Sequence, residues 1–200
     1  MTFFVVGIDE VGCGALAGPV VAAACWLEVS FLTELTNHAL FPFIRDSKTL
    51  SEDKREQVSA FLHQVPKTRC LFAFGYASKE EVEAINVRQA SLLAMTRAYN
   101  SLGVRASLVV VDGKYAPDLG ETPVQTIIRG DQQHKSISAA SILAKVCRDA
   151  EMRRLHGFFP HYEWDRNKGY GTLAHRAAIT KRGLTPHHRS LFCSAFVTAF

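Results

Sequence analysis

Residues 3–27, FFVVGIDEVGCGALAGPVVAAACWL, contain two apolar stretches on either side of a glycine-rich turn. The first stretch, residues 3–8, and the second, Val20–Leu27, are short and apolar, which is typical of buried strands. Asp9 and Glu10 directly follow the first stretch, and Gly12 opens the turn. The segment therefore predicts two buried strands, with an acidic pair at the point where the first strand meets the turn.

Two helices are predicted from apolar spacing and from capping signals. Apolar residues recur at helical spacing over residues 51–65. Thr49 and Glu52 have the spacing of a capping box at the start of this helix. Ser78 and Glu81 have the same spacing at the start of a second, longer helix.

The rest of the chain alternates between strand and helix signals. Further strands are predicted over residues 70–76, 107–111 and 124–128, and a further helix over residues 136–155. Beyond about residue 150 the pattern favours short helices, with Thr172 as an N-cap and Gly183 as a stop. This order indicates a three-layer α/β fold. Without a linker or repeat, residues 1–200 are expected to form one domain with a helical C-terminal part at about 150–200.

The composition excludes several classes of protein. Hydrophobic residues make up 48% and charged residues 21% of the 200 residues, which argues against a disordered chain. Five cysteines, an odd number without a Cys-x-x-Cys pair, argue against a disulfide framework and for a reducing compartment. The longest strongly apolar stretch, residues 19–27, is too short to span a bilayer, and no signal peptide is evident. A cytoplasmic protein without a membrane partner is therefore expected.

The positive charge is concentrated in one half of the chain. Residues 129–189 contain 12 Lys and Arg against 5 Asp and Glu, within a chain whose net charge is +4. Such an imbalance suits a polyanionic partner such as nucleic acid. A solvated basic face would give the same charge count, so charge alone leaves both interpretations open.

Four acidic residues follow predicted strands. Asp9 and Glu10 follow the first, Asp112 follows residues 107–111, and Asp131 follows residues 124–128. Since the carboxyl ends of parallel strands meet at one edge of an α/β sheet, these carboxylates are expected to lie close together. Mg²⁺ or Mn²⁺ would neutralise their repulsion, and two such ions serve hydrolysis at phosphorus. Each residue taken singly could instead be an acidic residue in a surface turn.

The turn also resembles a dinucleotide-binding fingerprint. Gly12, Gly14 and Ala17 fit the pattern G-x-G-x-x-G/A. That motif requires a helix to begin at the glycines, whereas Pro19 and a β-favouring stretch follow here. The preceding acidic pair would also repel a pyrophosphate, so the match is weak.

Seven segments match, in order, the motifs of one known family. They are GIDEVGCGALAGPVVAAA at 7–24, RDSKTLS at 45–51, AINVRQASLLAM at 84–95, VVVDG at 109–113, GDQQHKSISAASILAKVCRD at 130–149, NKGYGT at 167–172 and TPHHR at 185–189. Through them the sequence resembles the ribonuclease HII family, the type 2 ribonucleases H, over nearly its whole length.

The resemblance implies a fold and an activity. The fold is ribonuclease H-like, with a five-stranded mixed sheet flanked by helices and a helical C-terminal portion. The activity is metal-dependent cleavage of the RNA strand of RNA–DNA hybrids, and incision 5′ of single ribonucleotides embedded in duplex DNA. The products carry 5′-phosphate and 3′-hydroxyl ends. The resemblance also implies a monomer.

The resemblance assigns site residues as well. The family's metal-binding carboxylates correspond to Asp9, Glu10, Asp112 and Asp131. Asp149 competes for the fourth place, but Asp131 is preferred because it directly follows Gly130 in the family's Lys-Gly-Asp position, where Arg129 replaces the lysine.

Substrate-binding residues follow from the same motifs. Tyr170 corresponds to the tyrosine that packs on the sugar at the scissile junction, and Lys48 to a phosphate contact. Without the family, Tyr170 would be interpreted as a loop residue that fills the core, and Lys48 as a surface lysine. Gly12, Cys13 and Gly14 correspond to the turn that contacts the ribonucleotide.

Cys13 departs from the family, whose turn reads Gly-Arg-Gly. The backbone contacts of the turn are retained, whereas an arginine contact to phosphate is lost. A protein that binds hybrids without cleaving them is therefore an alternative, although all four carboxylates are present. Cys13 is not expected to be a nucleophile, because neighbouring carboxylates raise the pKa of a thiol.

Two further features have competing interpretations. His187 and His188 could form a metal pair, but adjacent histidines in a basic turn are expected to face solvent or phosphate. Residues 192–200 are apolar and could bind a sliding clamp, but packing against the domain is the preferred interpretation.

Overall fold

The computed structural model describes residues 4–44 and 47–197. Its strands are β1 (Val5–Val11), β2 (Val20–Leu27), β3 (Cys70–Ala77), β4 (Leu108–Asp112) and β5 (Val124–Ile127). They form one sheet in the order β3–β2–β1–β4–β5. β2 is antiparallel to β1 and to β3, whereas β4 is parallel to β1 and to β5. The predicted mixed sheet of five strands is confirmed.

Helices cover both faces of the sheet and form the C-terminal part. They are α1 (Val29–Leu35), α2 (Glu52–Gln64), α3 (Lys79–Ser101), α4 (Lys135–Phe158), α5 (Trp164–Asn167), α6 (Leu173–Arg182) and α7 (Ser190–Cys193). None of these helices, within the described ranges, is long and apolar enough to span a bilayer.

Three clusters of buried side chains hold the layers together. The first joins α3 to one face of the sheet, and the second joins α1, α2 and α4 to the other face. The third packs Leu16 and Ala17 of the turn against Met152 of α4 and Ile179 of α6. The three-layer α/β architecture is thereby confirmed, and the turn is anchored to the C-terminal helices.

The first strand is longer than predicted. β1 continues through Val11, which pairs with Val21 of β2, and it ends where Gly12 adopts a φ of 94°. Asp9 and Glu10 therefore lie inside the strand, and their predicted place at its end is wrong. The reason is that Val11 still packs against the second core cluster, so strand pairing persists past the acidic pair. Residue 3, the predicted start, lies outside the described residues.

The predicted caps are confirmed in part. Ser78 and Glu81 form a full capping box, and Thr172 caps α6. The capping role of Thr49 is wrong, because Ser51 accepts the hydrogen bond from the Lys54 N–H at the start of α2. Thr49 lies within a short 3₁₀ helix, whereas an N-cap needs the extended backbone that Ser51 has.

Two features of the helices were not predicted. The short helix α1 is capped by Glu28, whose carboxylate accepts hydrogen bonds from the Ser30 and Phe31 N–H groups. In α3 the helix is interrupted at Asn86, which has a φ of 66°. The Asn86 side chain accepts hydrogen bonds from the next turn and so restarts the helix.

Candidate active site

Three of the predicted acidic residues directly follow the paired part of the two central parallel strands. β1 and β4 are paired up to the residues before Asp9 and Asp112, so these two follow at the same level. The Asp9 carboxylate accepts a hydrogen bond from Ser141 of α4. Glu10, whose side chain points to the other face, accepts a hydrogen bond of 3.7 Å from the Cys13 thiol. The carboxylates thus line both sides of one sheet edge.

Asp131 and Asp149 have different surroundings. Asp131 is buried in a short 3₁₀ helix, and the N–H of the preceding Gly130 donates to Asp112 Oδ1 at 2.6 Å. Asp149 is also buried, but it pairs with Lys145 Nζ at 2.8 Å and with an Arg55 nitrogen at 4.0 Å. Asp149 therefore has two cationic partners, whereas Asp131 lies next to the Gly130 N–H that is bonded to Asp112.

Burial and mutual repulsion change the acidity of the site. Burial raises the pKa of Asp9 well above its usual value, and the charges of Glu10 and Asp112 raise it further. Burial and the charge of Asp112 likewise raise the pKa of Glu10, while Lys48 acts weakly in the opposite direction. The folded protein therefore disfavours the ionised forms of both carboxylates.

The donor set of this edge suits a divalent cation. Within residues 4–44 and 47–197, no three acidic, histidine or cysteine side chains are arranged as a ready metal cluster. Asp9, Glu10 and Asp112 nevertheless present carboxylate oxygens, which Mg²⁺ and Mn²⁺ prefer. A cation among them would also remove the repulsion that raises the pKa of Asp9 and Glu10.

A cleft opens beside these carboxylates. It has a volume of about 260 Å³ and lies between α3 and the residues that follow β4. Glu10, Cys13 and Asp112 contribute to its lining, as do Lys114 and Tyr115. The acidic edge is therefore accessible from a groove that is also lined by the charged side chain of Lys114 and by the ring of Tyr115.

The turn after β1 is held in place at Cys13. The Cys13 carbonyl accepts a hydrogen bond of 3.0 Å from Arg189, and its side chain packs against the first core cluster. Burial, followed by the charge of Glu10, raises the pKa of Cys13 to about 12. The thiol therefore stays protonated at neutral pH, which argues against a nucleophile. After the turn the chain enters β2 rather than a helix, which excludes the dinucleotide fingerprint.

Two buried arginines organise this turn, and no role was predicted for either. Arg148 donates to the carbonyl oxygens of Pro19, Ala17 and Lys168 at 2.8–3.0 Å. Arg189 donates twice to the Gly18 carbonyl in addition to Cys13. Both residues are fully buried. Burial lowers the pKa of Arg189 to about 10, so that it remains charged at neutral pH.

Tyr170 lies beside the turn. It forms an isolated β-bridge with Ala15, and its ring centroid is 5.4 Å from the Arg148 guanidinium and 5.6 Å from Lys145 Nζ. The structure thus brings the predicted tyrosine to the glycine turn, although the two are far apart in sequence.

The predicted phosphate contact, Lys48, lies near the acidic edge. Lys48 is exposed in a short 3₁₀ helix, and its charge reaches Glu10. The neighbouring Ser47 hydroxyl lies 2.8 Å from that of Ser141, the partner of Asp9. Residues 45 and 46, the start of this motif, lie outside the described residues.

One prediction for the two adjacent histidines is wrong, and the preferred prediction for the C-terminal residues is confirmed where the structure describes them. The expectation that both adjacent histidines face solvent or phosphate is wrong for His188, which is buried against His175. Its ring packs against the rings of Tyr162 and Trp164 as well as that of His175, contacts that the local sequence does not reveal. Phe192 and Phe196 pack against the third core cluster, as preferred, while residues 198–200 lie outside the described residues.

Comparison with known proteins identifies first the fold class and then the family. The structure of the PCNA:RNase HII complex from Archaeoglobus fulgidus matches with a TM-score of 0.73 and 21% identity, covering 98% of each chain. The structure of Bst-RNase HIII in complex with Mn²⁺ matches with a TM-score of 0.72 and 19% identity, covering 96% of this chain and 65% of that one. These similarities show a ribonuclease H-like fold.

The sequence comparisons are more specific. Ribonuclease HII of Pelagibacter ubique (strain HTCC1062) is 46% identical over 186 residues, which cover 93% of this chain and 94% of the relative. The family model for ribonuclease HII matches residues 6–197. The chain therefore belongs to the ribonuclease HII family, and it is an enzyme with ribonuclease H activity.

Proposed function

We propose that this enzyme cleaves the RNA strand of RNA–DNA hybrids and incises duplex DNA 5′ of single embedded ribonucleotides, leaving 5′-phosphate and 3′-hydroxyl ends. The observation that carries the proposal is the placement of Asp9, Glu10 and Asp112 beside the glycine turn and Tyr170. Carboxylates for the hydrolysis and groups for ribose recognition thereby share one edge of the sheet.

Asp9, Glu10, Asp112 and Asp131 would hold the divalent ions, Mg²⁺ or Mn²⁺. The chemistry that such ions supply is activation of a water molecule and stabilisation of the leaving oxygen at phosphorus. The protein's own contribution is to hold the carboxylates in place through Ser141 and the Gly130 N–H. The Mn²⁺ complex of the related Bst-RNase HIII supports this proposal.

The substrate would be recognised by the turn, by Tyr170 and by basic residues. Gly12, Cys13 and Gly14 present backbone groups to the ribonucleotide, and Tyr170 packs against its sugar. The 2′-hydroxyl distinguishes RNA from DNA at such a site, and aromatic rings recognise nucleotides by stacking. Lys48 supplies a cation beside the carboxylates for the backbone phosphate.

The decisive experiment uses an end-labelled DNA duplex with one ribonucleotide, an all-DNA duplex of the same sequence and an RNA–DNA hybrid. With Mg²⁺ or Mn²⁺, cleavage is expected 5′ of the ribonucleotide and within the RNA strand, and none in the all-DNA duplex. Binding without cleavage, across both metals and from pH 6 to pH 9, would instead support the hybrid-binding alternative.

A second test concerns metal binding and stability. Because burial and repulsion raise the pKa of Asp9 and Glu10, their ionised forms destabilise the metal-free protein, and this cost disappears as pH falls through the raised values. Mg²⁺ is therefore expected to raise the melting temperature more at pH 8 than at pH 5. Scanning calorimetry measures the difference, and Asp9→Asn should reduce it. An equal shift at both pH values would contradict the proposed ligands.

Restoring the family's arginine should strengthen binding. Cys13→Arg adds one phosphate contact, so it is expected to lower KM and to steepen the salt dependence of log KM by about 0.9 on duplex DNA. The value of kcat should change little, since a contact made equally in ground and transition states improves binding alone. Cys13→Gln, with a long uncharged side chain, is the control. An equal gain from glutamine would show that charge is not responsible.

A sliding clamp remains a proposed partner. The solved complex of PCNA with RNase HII from Archaeoglobus fulgidus supports it. Phe192 and Phe196 are packed against the third core cluster in this chain, so a clamp would bind elsewhere or displace them. Size-exclusion chromatography with a clamp protein would test the association and would also test the proposed monomeric state of the enzyme.

A further inference from the structure

A connected set of buried side chains lies directly beneath Tyr170. Trp164 and His175 are fully buried, and His188 is 1% exposed. His175 Nδ1 lies 2.9 Å from the Tyr170 carbonyl oxygen. His175 Nε2 lies 3.0 Å from Trp164 Nε1 and 3.0 Å from His188 Nε2. His175 therefore links the backbone of Tyr170 to Trp164 in the third core cluster and to His188 in the loop before α7.

The partners of the two histidines fix where their protons are. The Tyr170 carbonyl only accepts, so His175 Nδ1 carries a proton, and the neutral ring accepts at Nε2. The Trp164 indole N–H donates to that nitrogen. His188 Nδ1 accepts from the Thr185 N–H at 2.9 Å, so the proton of His188 is on Nε2 and is donated to His175. The Trp164 N–H and the His188 Nε2–H then share the one lone pair of His175 Nε2 as a three-centre hydrogen bond.

The electrostatics agree with two neutral rings. Burial, followed by the neighbouring histidines, lowers the pKa of His188 to about 3. Burial also lowers the pKa of His175. Both rings are therefore uncharged at neutral pH, as the arrangement of donors and acceptors requires.

We propose that His175 is a positioning residue for Tyr170: its Nδ1–H fixes the Tyr170 carbonyl, while Trp164 and His188 fix the His175 ring. This inference rests on the proposed role of Tyr170 in ribose recognition. Tyr170 is held on its other side by the β-bridge to Ala15 of the turn. The Thr172 N–H donates to the same Tyr170 carbonyl at 2.8 Å, and the histidine adds a bond from α6. The histidine thus helps to hold the tyrosine against the turn, the two elements that would contact the same ribonucleotide.

Two substitutions of His175 by an amide side chain distinguish a role in positioning Tyr170 from a contribution to the stability of the fold. In His175→Asn the side-chain NH₂ group can take the place of Nδ1–H, but the acceptor for Trp164 and His188 is lost. In His175→Gln the longer side chain can supply that acceptor, but the donor to Tyr170 is lost. We expect His175→Asn to have the lower melting temperature, because it leaves two buried donors unpaired.

The catalytic activity of the two variants is expected to rank in the opposite order from their melting temperatures. His175→Gln should lower kcat/KM for the single-ribonucleotide duplex by about tenfold, the upper range for one neutral hydrogen bond, and His175→Asn should stay within about threefold of the wild type. Both are measured well below the melting temperatures. If activity instead follows melting temperature, the role of His175 is structural and the inference is overturned.

A double-mutant cycle with Tyr170 completes the test. Tyr170→Ala should lower kcat/KM by itself, and His175→Gln should then cost little more, because the group that it positions is gone. Additive losses would overturn the inference. If Tyr170→Ala alone has no effect, the proposed role of Tyr170 in recognition fails, and with it the role of His175 in positioning that ring for substrate.

A readout independent of cleavage is the ¹³C shift of a selectively labelled Tyr170 carbonyl. His175→Gln is expected to shift it, because the hydrogen bond is lost, and His175→Asn is expected to leave it near the wild-type value. An unchanged shift in His175→Gln would overturn the inference whatever the enzyme cleaves. Failure of the wild type to cleave, with the shift behaving as expected, would instead remove only the proposed function.

Discussion

Asp9→Asn and Asp112→Asn are each expected to lower cleavage about a thousandfold or more while the protein stays folded, since metal-assisted stabilisation at phosphorus amounts to several kcal/mol. An asparagine amide is a weaker metal ligand than a carboxylate, although it retains nearly the same shape. It can also still accept the Glu10 N–H at position 9 and the Gly130 N–H at position 112. The chemistry should therefore be lost without loss of the local hydrogen bonds.

The melting temperature should change in the opposite direction from activity. The raised pKa of Asp9 means that its ionised form destabilises the folded protein at neutral pH. Asp9→Asn removes that charge, so the metal-free variant is expected to melt at a higher temperature than the wild type at pH 7. Calorimetry without metal and single-turnover cleavage with Mn²⁺ measure the two effects. Near-normal turnover in either asparagine variant would contradict the site assignment.

The fourth carboxylate is tested by a matched pair. Asp131→Asn should reduce cleavage strongly, in the same way as the other two substitutions. Asp149→Asn should chiefly reduce stability, because it removes a buried partner of Lys145 and Arg55. If Asp149→Asn remains stable and abolishes cleavage while Asp131→Asn cleaves normally, the two assignments must be exchanged.

Much of the fold could be predicted because its signals are local. The strands β1 and β4 are each followed by a glycine, and β2 is preceded by Gly18 and Pro19. The caps Ser78 and Thr172 lie next to the helices that they begin. Boundaries were less predictable, because β1 ends only where Gly12 turns the backbone and its pairing with β2 stops. A strand's length depends on its neighbour as well as on its own sequence.

The supports of the candidate site could not be predicted from the residues alone. Arg148 and Arg189 look like surface cations in a basic half of the chain. Their roles depend on carbonyl groups as much as 131 and 176 residues away, respectively, which only folding brings to them. His188 was mispredicted for the same reason, because its partner His175 lies on α6, whereas His188 lies in the loop that follows this helix. The candidate site residues were recognisable by type and motif, whereas the groups that hold them were not.

The second large effect is expected at Gly12, where the backbone conformation and the packing both require glycine. Its φ of 94° is unfavourable for any residue with a Cβ, which costs about 1–2 kcal/mol. A Cβ at this position would also clash with Arg148 Nε and would lie 2.8 Å from the Pro19 carbonyl oxygen. The added Cβ would therefore displace the buried Arg148 guanidinium, which donates hydrogen bonds to three carbonyl groups.

Gly12→Ala is therefore expected to lower the free energy of unfolding by about 3–5 kcal/mol, from backbone strain together with one or two displaced hydrogen bonds to a charged group. Cleavage should fall as well, because Arg148 holds both the turn and the Lys168 carbonyl next to the Tyr170 loop.

Gly14→Ala is the matched control, since no atom lies within 4 Å of an added Cβ there. Its unfolding free energy should change by no more than about 0.5 kcal/mol. If the Gly14 backbone faces the ribonucleotide, as proposed, the same Cβ should raise KM at unchanged stability. Urea titrations and steady-state kinetics on the two alanine variants separate these effects. Equal stability of the two would show that Arg148 moves aside freely and does not hold the turn.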